Sequence, residues 1–168
     1  RQAYLGFDLR FLNLVYLESR GSVKFWDLYL QDVDLSSIPC QQLVSLISRV
    51  TSWVGINNVS GCNLATILDN VKSQRLSIRN QCLGIWQTWA LVRAMETHVE
   101  RVEVNVFLDD MCMLALVNYS LQGKCKAVKL REYIYKLGKR RKMMRTWAKR
   151  GNWKMVTDDP GYIEIKRK

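Results

Sequence analysis

The chain is poor in the residues that punctuate structure or carry chemistry. Proline occurs twice and histidine once in 168 residues. With only Pro39 and Pro160 there is no proline-rich linker, and Pro160–Gly161 is the one strong breaker pair, so nothing divides the chain into separate domains. The lone histidine, His98, excludes an H-E-x-x-H metal helix, and between Glu96 and Glu100 it reads as a surface residue at a helix end. Cys40, Cys62, Cys82, Cys112 and Cys125 form no C-x-x-C pair, which removes zinc-cluster spacing. Their odd number and wide separation fit small apolar thiols buried in a reducing compartment. No apolar run reaches the roughly eighteen residues a membrane-spanning helix needs. No charged-then-apolar leader follows Arg1, so the chain reads as an intracellular part of something longer. Gly138-Lys139 lacks the upstream glycine and following hydroxyl of a phosphate-binding loop. Asp109 and Asp110 are consecutive, so at a helix start they point apart and suit capping better than acid–base work. Nothing in this inventory asks for catalysis, a metal or a cofactor, and the expectation is a non-catalytic protein.

What is present is a recurring apolar dyad. Leu28-x-Leu30, Val54-x-Ile56, Leu76-x-Ile78, Val102-x-Val104 and Val128-x-Leu130 follow one another at intervals of 26, 22, 26 and 26 residues. Segments of helical periodicity lie between them. One short strand alternating with one helix at a period in the twenties predicts a stacked α/β solenoid. In the first unit, Phe25, Leu28, Leu30, Val33 and Leu35 fit the spacing L-x-x-L-x-L-x-x-N/C-x-L, with Val33 at the Asn/Cys position. Helices are predicted from Ser37 and Pro39 with Leu43, Leu46, Ile47 and Val50 on one side; after Gly61 with Leu64, Ile67, Leu68 and Val71; through Trp86, Trp89, Val92, Met95 and Val99; and from Asp109 with Ala115, Leu116 and Tyr119.

The two ends read as caps on a single repeat domain covering residues 1–168. Tyr4 to Arg20 places Leu5, Leu9, Leu12 and Tyr16 at helical spacing before Gly21, which predicts an N-terminal helical cap over residues 1–21. Five repeats occupy residues 22–135. Residues 132–168 are predicted to form a long basic helix, about Glu132 to Arg150, and a closing β-hairpin. Its strands are Trp153–Thr157 and Tyr162–Lys166 around Asp158-Asp159-Pro160-Gly161, placed to shield the open sheet edge.

This pattern resembles the leucine-rich repeats of ribonuclease-inhibitor-like proteins and of animal intracellular NOD-like receptors, over about residues 22–135. The resemblance implies parallel strands on a concave side, helices on a convex side, and protein recognition, often in innate immune sensing or adaptor work. The ninth repeat position, Asn or Cys in the family, reads Val33, Val59, Gln81, Phe107 and Tyr133, which predicts an irregular, flatter stack.

If the dyads face the core, strand alternation turns their neighbours to the opposite face. The central column is Tyr29, Gly55, Ser77, Glu103 and Lys129; the flanking columns begin at Asp27 and Gln31. Exposed Trp and Arg are the types enriched in binding hot spots. The expected partner-binding face therefore comprises Tyr29, Trp53, Asn57, Arg75, Arg79, Arg101, Glu103 and Lys129, with another protein as the partner.

Charge marks an alternative. Residues 1–123 carry a net −1, whereas residues 124–168 carry sixteen Lys/Arg against four Asp/Glu, a net +12. Lys139, Arg140, Arg141, Lys142 and Arg145 crowd a helix whose other side holds Ile134, Leu137, Met144 and Trp147. A basic amphipathic helix of this kind can bind nucleic acid or another polyanion.

Overall fold

In the computed structural model the dyads are the buried centres of successive strands. The structure describes residues 2–6, 24–107, 109–119, 123–131, 137–150, 153–159 and 162–168. Strands β1 (Gln2–Gly6), β2 (Phe25–Asp34), β3 (Val50–Ser60), β4 (Arg75–Cys82), β5 (Arg101–Phe107) and β6 (Ala127–Arg131) pair in chain order, each parallel to the next. Helices α1 (Cys40–Ile47), α2 (Leu64–Asp69), α3 (Ile85–Thr97) and α4 (Asp110–Tyr119) lie in the connections between β2 and β6, and α5 (Leu137–Arg150) follows β6. Strand β8 (Tyr162–Arg167) then pairs antiparallel with β6, and β7 (Trp153–Asp159) pairs antiparallel with β8. The fold is mixed α/β, built on one mostly parallel eight-stranded sheet.

Register explains why the dyads matter. Leu28, Val54, Leu76, Val102 and Val128 are direct neighbours in one row across the sheet, and Leu30, Ile56, Ile78, Val104 and Leu130 in the next. None of these ten side chains is more than 5% exposed. They share one apolar cluster with Leu43, Leu46 and Ile47 of α1, Leu64, Ile67 and Leu68 of α2, Leu91, Val92 and Met95 of α3, and Cys112, Met113 and Leu116 of α4. The helices thus pack on the dyad side. Burying each such side chain is worth about 1.5–3 kcal/mol, so the two rows and the helix stripes facing them are the main apolar contribution to stability.

Local chemistry sets the helix starts. The Asn63 side chain accepts from the amides of Ala65 (3.1 Å) and Thr66 (3.4 Å), capping α2. Asp109 accepts from the Cys112 amide at 2.6 Å, the capping role expected of it. Pro39 stands at the head of α1 without a side-chain cap.

Several expectations need correction. Residues 2–6 form a strand and not the start of a capping helix; the remainder of the expected helix, residues 7–20, lies outside the described residues. The reason is visible in the pairing: Ala3 and Leu5 stand opposite Leu28 and Leu30, so an extended segment continues both rows. The basic helix is described over Leu137–Arg150; its expected first residues, Glu132 to Lys136, lie outside the described residues. Trp86, expected on the inner stripe of its helix, is 76% exposed, because in the first turn of α3 it is Thr88, fully buried, that faces inward with Leu91, Val92 and Met95. Of the five thiols only Cys112 and Cys125 are buried, whereas Cys40 and Cys82 are exposed. Val50 is buried but belongs to β3.

Beyond the dyads, three successive strands share a backbone kink. Asp32, Asn58 and Asn80 have φ of 49°, 51° and 50°, each four residues after the first residue of its dyad. Asp and Asn tolerate this left-handed region better than other non-glycine residues. Their amides also bond sideways: Asn58 Nδ2 donates to Asp32 Oδ1 at 2.8 Å, and Asn80 Nδ2 donates to Asn57 Oδ1 at 2.8 Å.

Candidate binding face on the sheet

Asp27, Tyr29 and Gln31 of β2 alternate with the buried Leu28 and Leu30 and so lie on the face away from the helices, and the same alternation carries across the sheet. Two rows result: Asp27, Trp53, Arg75, Arg101 and Ala127, and Tyr29, Gly55, Ser77, Glu103 and Lys129. Strand β8 extends them, setting Lys166 opposite Ala127 and Glu164 opposite Lys129. No described helix shares the apolar cluster with these residues.

At one end the face is closed by aromatic packing. Tyr29 stacks on Trp53 with ring centroids 5.4 Å apart and planes 16° from parallel. Its ring lies over Gly55: a Cβ there would collide with Tyr29 Cδ2 and meet Trp53 Cζ2 at 2.8 Å. Glycine is needed here for space, since its backbone is not strained. Asn57 Nδ2 donates to the Tyr29 hydroxyl at 3.1 Å and so fixes the ring.

At the other end the face is ionic. The Glu103 carboxylate receives both Arg79 Nη2 and Arg131 Nε at 3.1 Å. Lys129 Nζ sits 4.2 Å from the centre of the Tyr162 ring, a cation–π contact, and Lys166 pairs with Glu164 at 3.1 Å. All these groups are partly exposed, so each pair contributes little stability alone, but together they hold the side chains in place.

Between the two ends lies a hollow of about 320 Å3 bordered by Trp53, Arg75, Ser77, Arg101, Glu103, Ala127, Lys129 and Glu164. Small side chains open it. Ser77 and Ala127 stand where larger residues would fill the floor, and both are buried. No family model, curated protein or solved structure matches the chain.

Five of the eight residues expected on the partner-binding face border this hollow: Trp53, Arg75, Arg101, Glu103 and Lys129. The other three lie on the same face outside it. Tyr29 and Asn57 hold each other, and Arg79 is occupied with Glu103. Sequence reasoning missed Tyr162 and Glu164, although the alternation Tyr162-x-Glu164-x-Lys166 on a strand next to β6 would have placed them beside Lys129 and Arg131.

The alternative surface is only partly described. Lys142, Arg145 and Lys149 of α5 are exposed and Arg141 is half-buried, while Met144 and Ala148 face the core. The side chains of Lys139, Arg140, Leu137 and Trp147 lie outside the described residues, as does Ile134. Among the described residues no helix is long and apolar enough to cross a membrane.

Proposed function

We propose that the chain is a non-catalytic recognition module, an irregular leucine-rich-repeat-like solenoid that binds another protein through the sheet face opposite its helices. The observation that carries this reading is the hollow, where Trp53, Arg75 and Arg101, residue types favoured at binding hot spots, converge on a face that no described helix covers. The solenoid reading is supported by parallel strands pairing in chain order and by the left-handed Asp or Asn recurring at one repeat position in three strands. A non-catalytic role is supported by the occupation of the carboxylates that border the hollow, Glu103 by two arginines and Glu164 by Lys166. The assignment to an intracellular innate-immune receptor or adaptor rests on the repeat resemblance alone.

The test is a double reversal, Arg75→Glu with Arg101→Glu, in the full chain. Loss of about 1–3 kcal/mol of affinity or more for a partner crosslinked at this face is expected. Unchanged binding by a folded variant would move the site elsewhere, and the exposed Lys142, Arg145 and Lys149 of α5 are the next candidate. Polyanion binding at α5 would weaken steeply as salt rises.

A further inference from the structure

Arg75 and Arg101 are direct neighbours across β4 and β5. Adjacent strands lie about 4.8 Å apart, and like charges directly opposite one another are destabilising. Proteins commonly offset such a pair with a carboxylate. Here, among the described residues, neither guanidinium has a hydrogen-bond or ion-pair partner. Among the described residues the neighbouring acids are engaged by other cations, Glu103 by Arg79 and Arg131, Glu164 by Lys166, and Glu100 by Lys126 at 2.8 Å, with the Arg101 charge also acting on Glu100. These two guanidiniums, unpaired among the described residues, flank a hollow with a hydroxyl, Ser77, at its floor and an indole, Trp53, at its wall, and Lys129, held over the Tyr162 ring, adds positive charge at its rim.

We propose that this hollow is an oxyanion site that receives a phosphorylated side chain of the partner protein, clamped between Arg75 and Arg101. This rests on the reading of the sheet face as protein-binding. Charge decides between the possible anions. A phosphate monoester carries about −1.5 to −2 at neutral pH and balances two guanidiniums, whereas a carboxylate or a nucleic-acid diester carries one charge and leaves one arginine uncompensated. The planar fork of arginine also suits two-point contact with phosphate oxygens. Ser77 adds a donor at the base, and Trp53 gives an apolar flank for the group carrying the phosphate.

The test uses the full chain and the arginine Nε–Hε resonances, titrated with phenyl phosphate, dimethyl phosphate and benzoate at pH 7.5. Saturable shifts at Arg75 and Arg101 are expected with phenyl phosphate, with dimethyl phosphate and benzoate weaker by about tenfold or more. Affinity should fall between pH 7.5 and 5.5 as the monoester dianion takes up a proton, near pH 6, while the arginines stay charged. R75Q and R101Q should each weaken phenyl phosphate binding while leaving thermal stability unchanged or raised, because a repulsion has been removed. Replacing Lys142 and Arg145 together should leave it intact. Equal binding of the three probes, absence of saturation, insensitivity to R75Q and R101Q, or a fall in melting temperature in both variants would overturn the proposal. Failure of phenyl phosphate while R75E/R101E still abolishes partner binding removes the phosphate and keeps the protein-binding reading. Phenyl phosphate bound as expected with partner binding untouched by R75E/R101E does the reverse.

Discussion

Replacing Gly55 by alanine tests the account of the aromatic end of the sheet face, because the added methyl has nowhere to go. Its Cβ would collide with Tyr29 Cδ2 and come within 2.8 Å of Trp53 Cζ2 and Tyr29 Cε2. The ring cannot bend, so Tyr29 must swing out about its own χ angles. That forfeits the Tyr29–Trp53 stack, worth about 0.5–1.5 kcal/mol, and the hydrogen bond from Asn57, worth about the same. Against this, alanine in a strand recovers roughly 0.5–1 kcal/mol that glycine gives up in backbone entropy. The expected net loss is about 1–2 kcal/mol, a fall in melting temperature of about 2–8 °C for a chain of this size. Denaturant unfolding measures the first quantity and calorimetry the second. A double-mutant cycle sharpens the result: in the Gly55→Ala background, Tyr29→Ala should cost little further, because the contact is already lost. A Gly55→Ala protein as stable as the parent, with Tyr29→Ala costing the same in both backgrounds, would refute the reasoning.

Two further perturbations probe other parts of the fold. Asn58→Ala should destabilise by about 1–2 kcal/mol, since alanine resists the left-handed backbone and drops the bond to Asp32, whereas Asn58→Gly should cost less because it loses only the bond; chemical denaturation of the two variants side by side would decide. Burial pushes the Cys125 thiol up to about 12. An acid whose proton is held more tightly in the folded state than its ordinary value of 9.0 contributes stability that is complete below that value and is lost as pH rises towards 12. Stability should therefore fall through this alkaline window more steeply in the parent than in Cys125→Ala, as measured by urea unfolding at stepped pH.

The dyads made the parallel rows legible because a period of two within each strand and a period in the twenties between strands leave one register that buries all ten side chains. The grouping of the expected binding residues on one face followed from the same alternation, which is why five of them meet at one hollow. The first strand was obscured because Leu5, Leu9 and Leu12 also satisfy helical spacing, and Ala3 is too small to advertise itself as half of a dyad. Trp86 was misplaced for a related reason: steps of three and four fit more than one stripe in the first turn, and the buried position there is the polar Thr88. The Asp32, Asn58 and Asn80 kink was written in the sequence at a constant four residues past the first member of each dyad, but one residue ahead of the position where leucine-rich repeats keep Asn or Cys. The hollow itself could not be read from the columns, because it depends on the small Ser77 and Ala127 and on β8 arriving antiparallel to complete the rim.

Pairing in chain order from β1 to β6 has a consequence for how the molecule forms and comes apart. From β2 to β5 each strand pairs only with the strands immediately before and after it in the chain, so closing any one of the pairings from β2 to β6 orders a loop of about two dozen residues and never the whole chain. Nucleation can begin at any neighbouring pair and spread outward, and folding should be fast for a sheet of eight strands. The same locality limits cooperativity. A lesion in the middle, such as loss of Ile78 from β4, removes contacts to both neighbours at once and leaves β2–β3 and β5–β6 to stand on their own interfaces. Hydrogen exchange would then report two protection levels in place of one, divided at the strand where the damage was made.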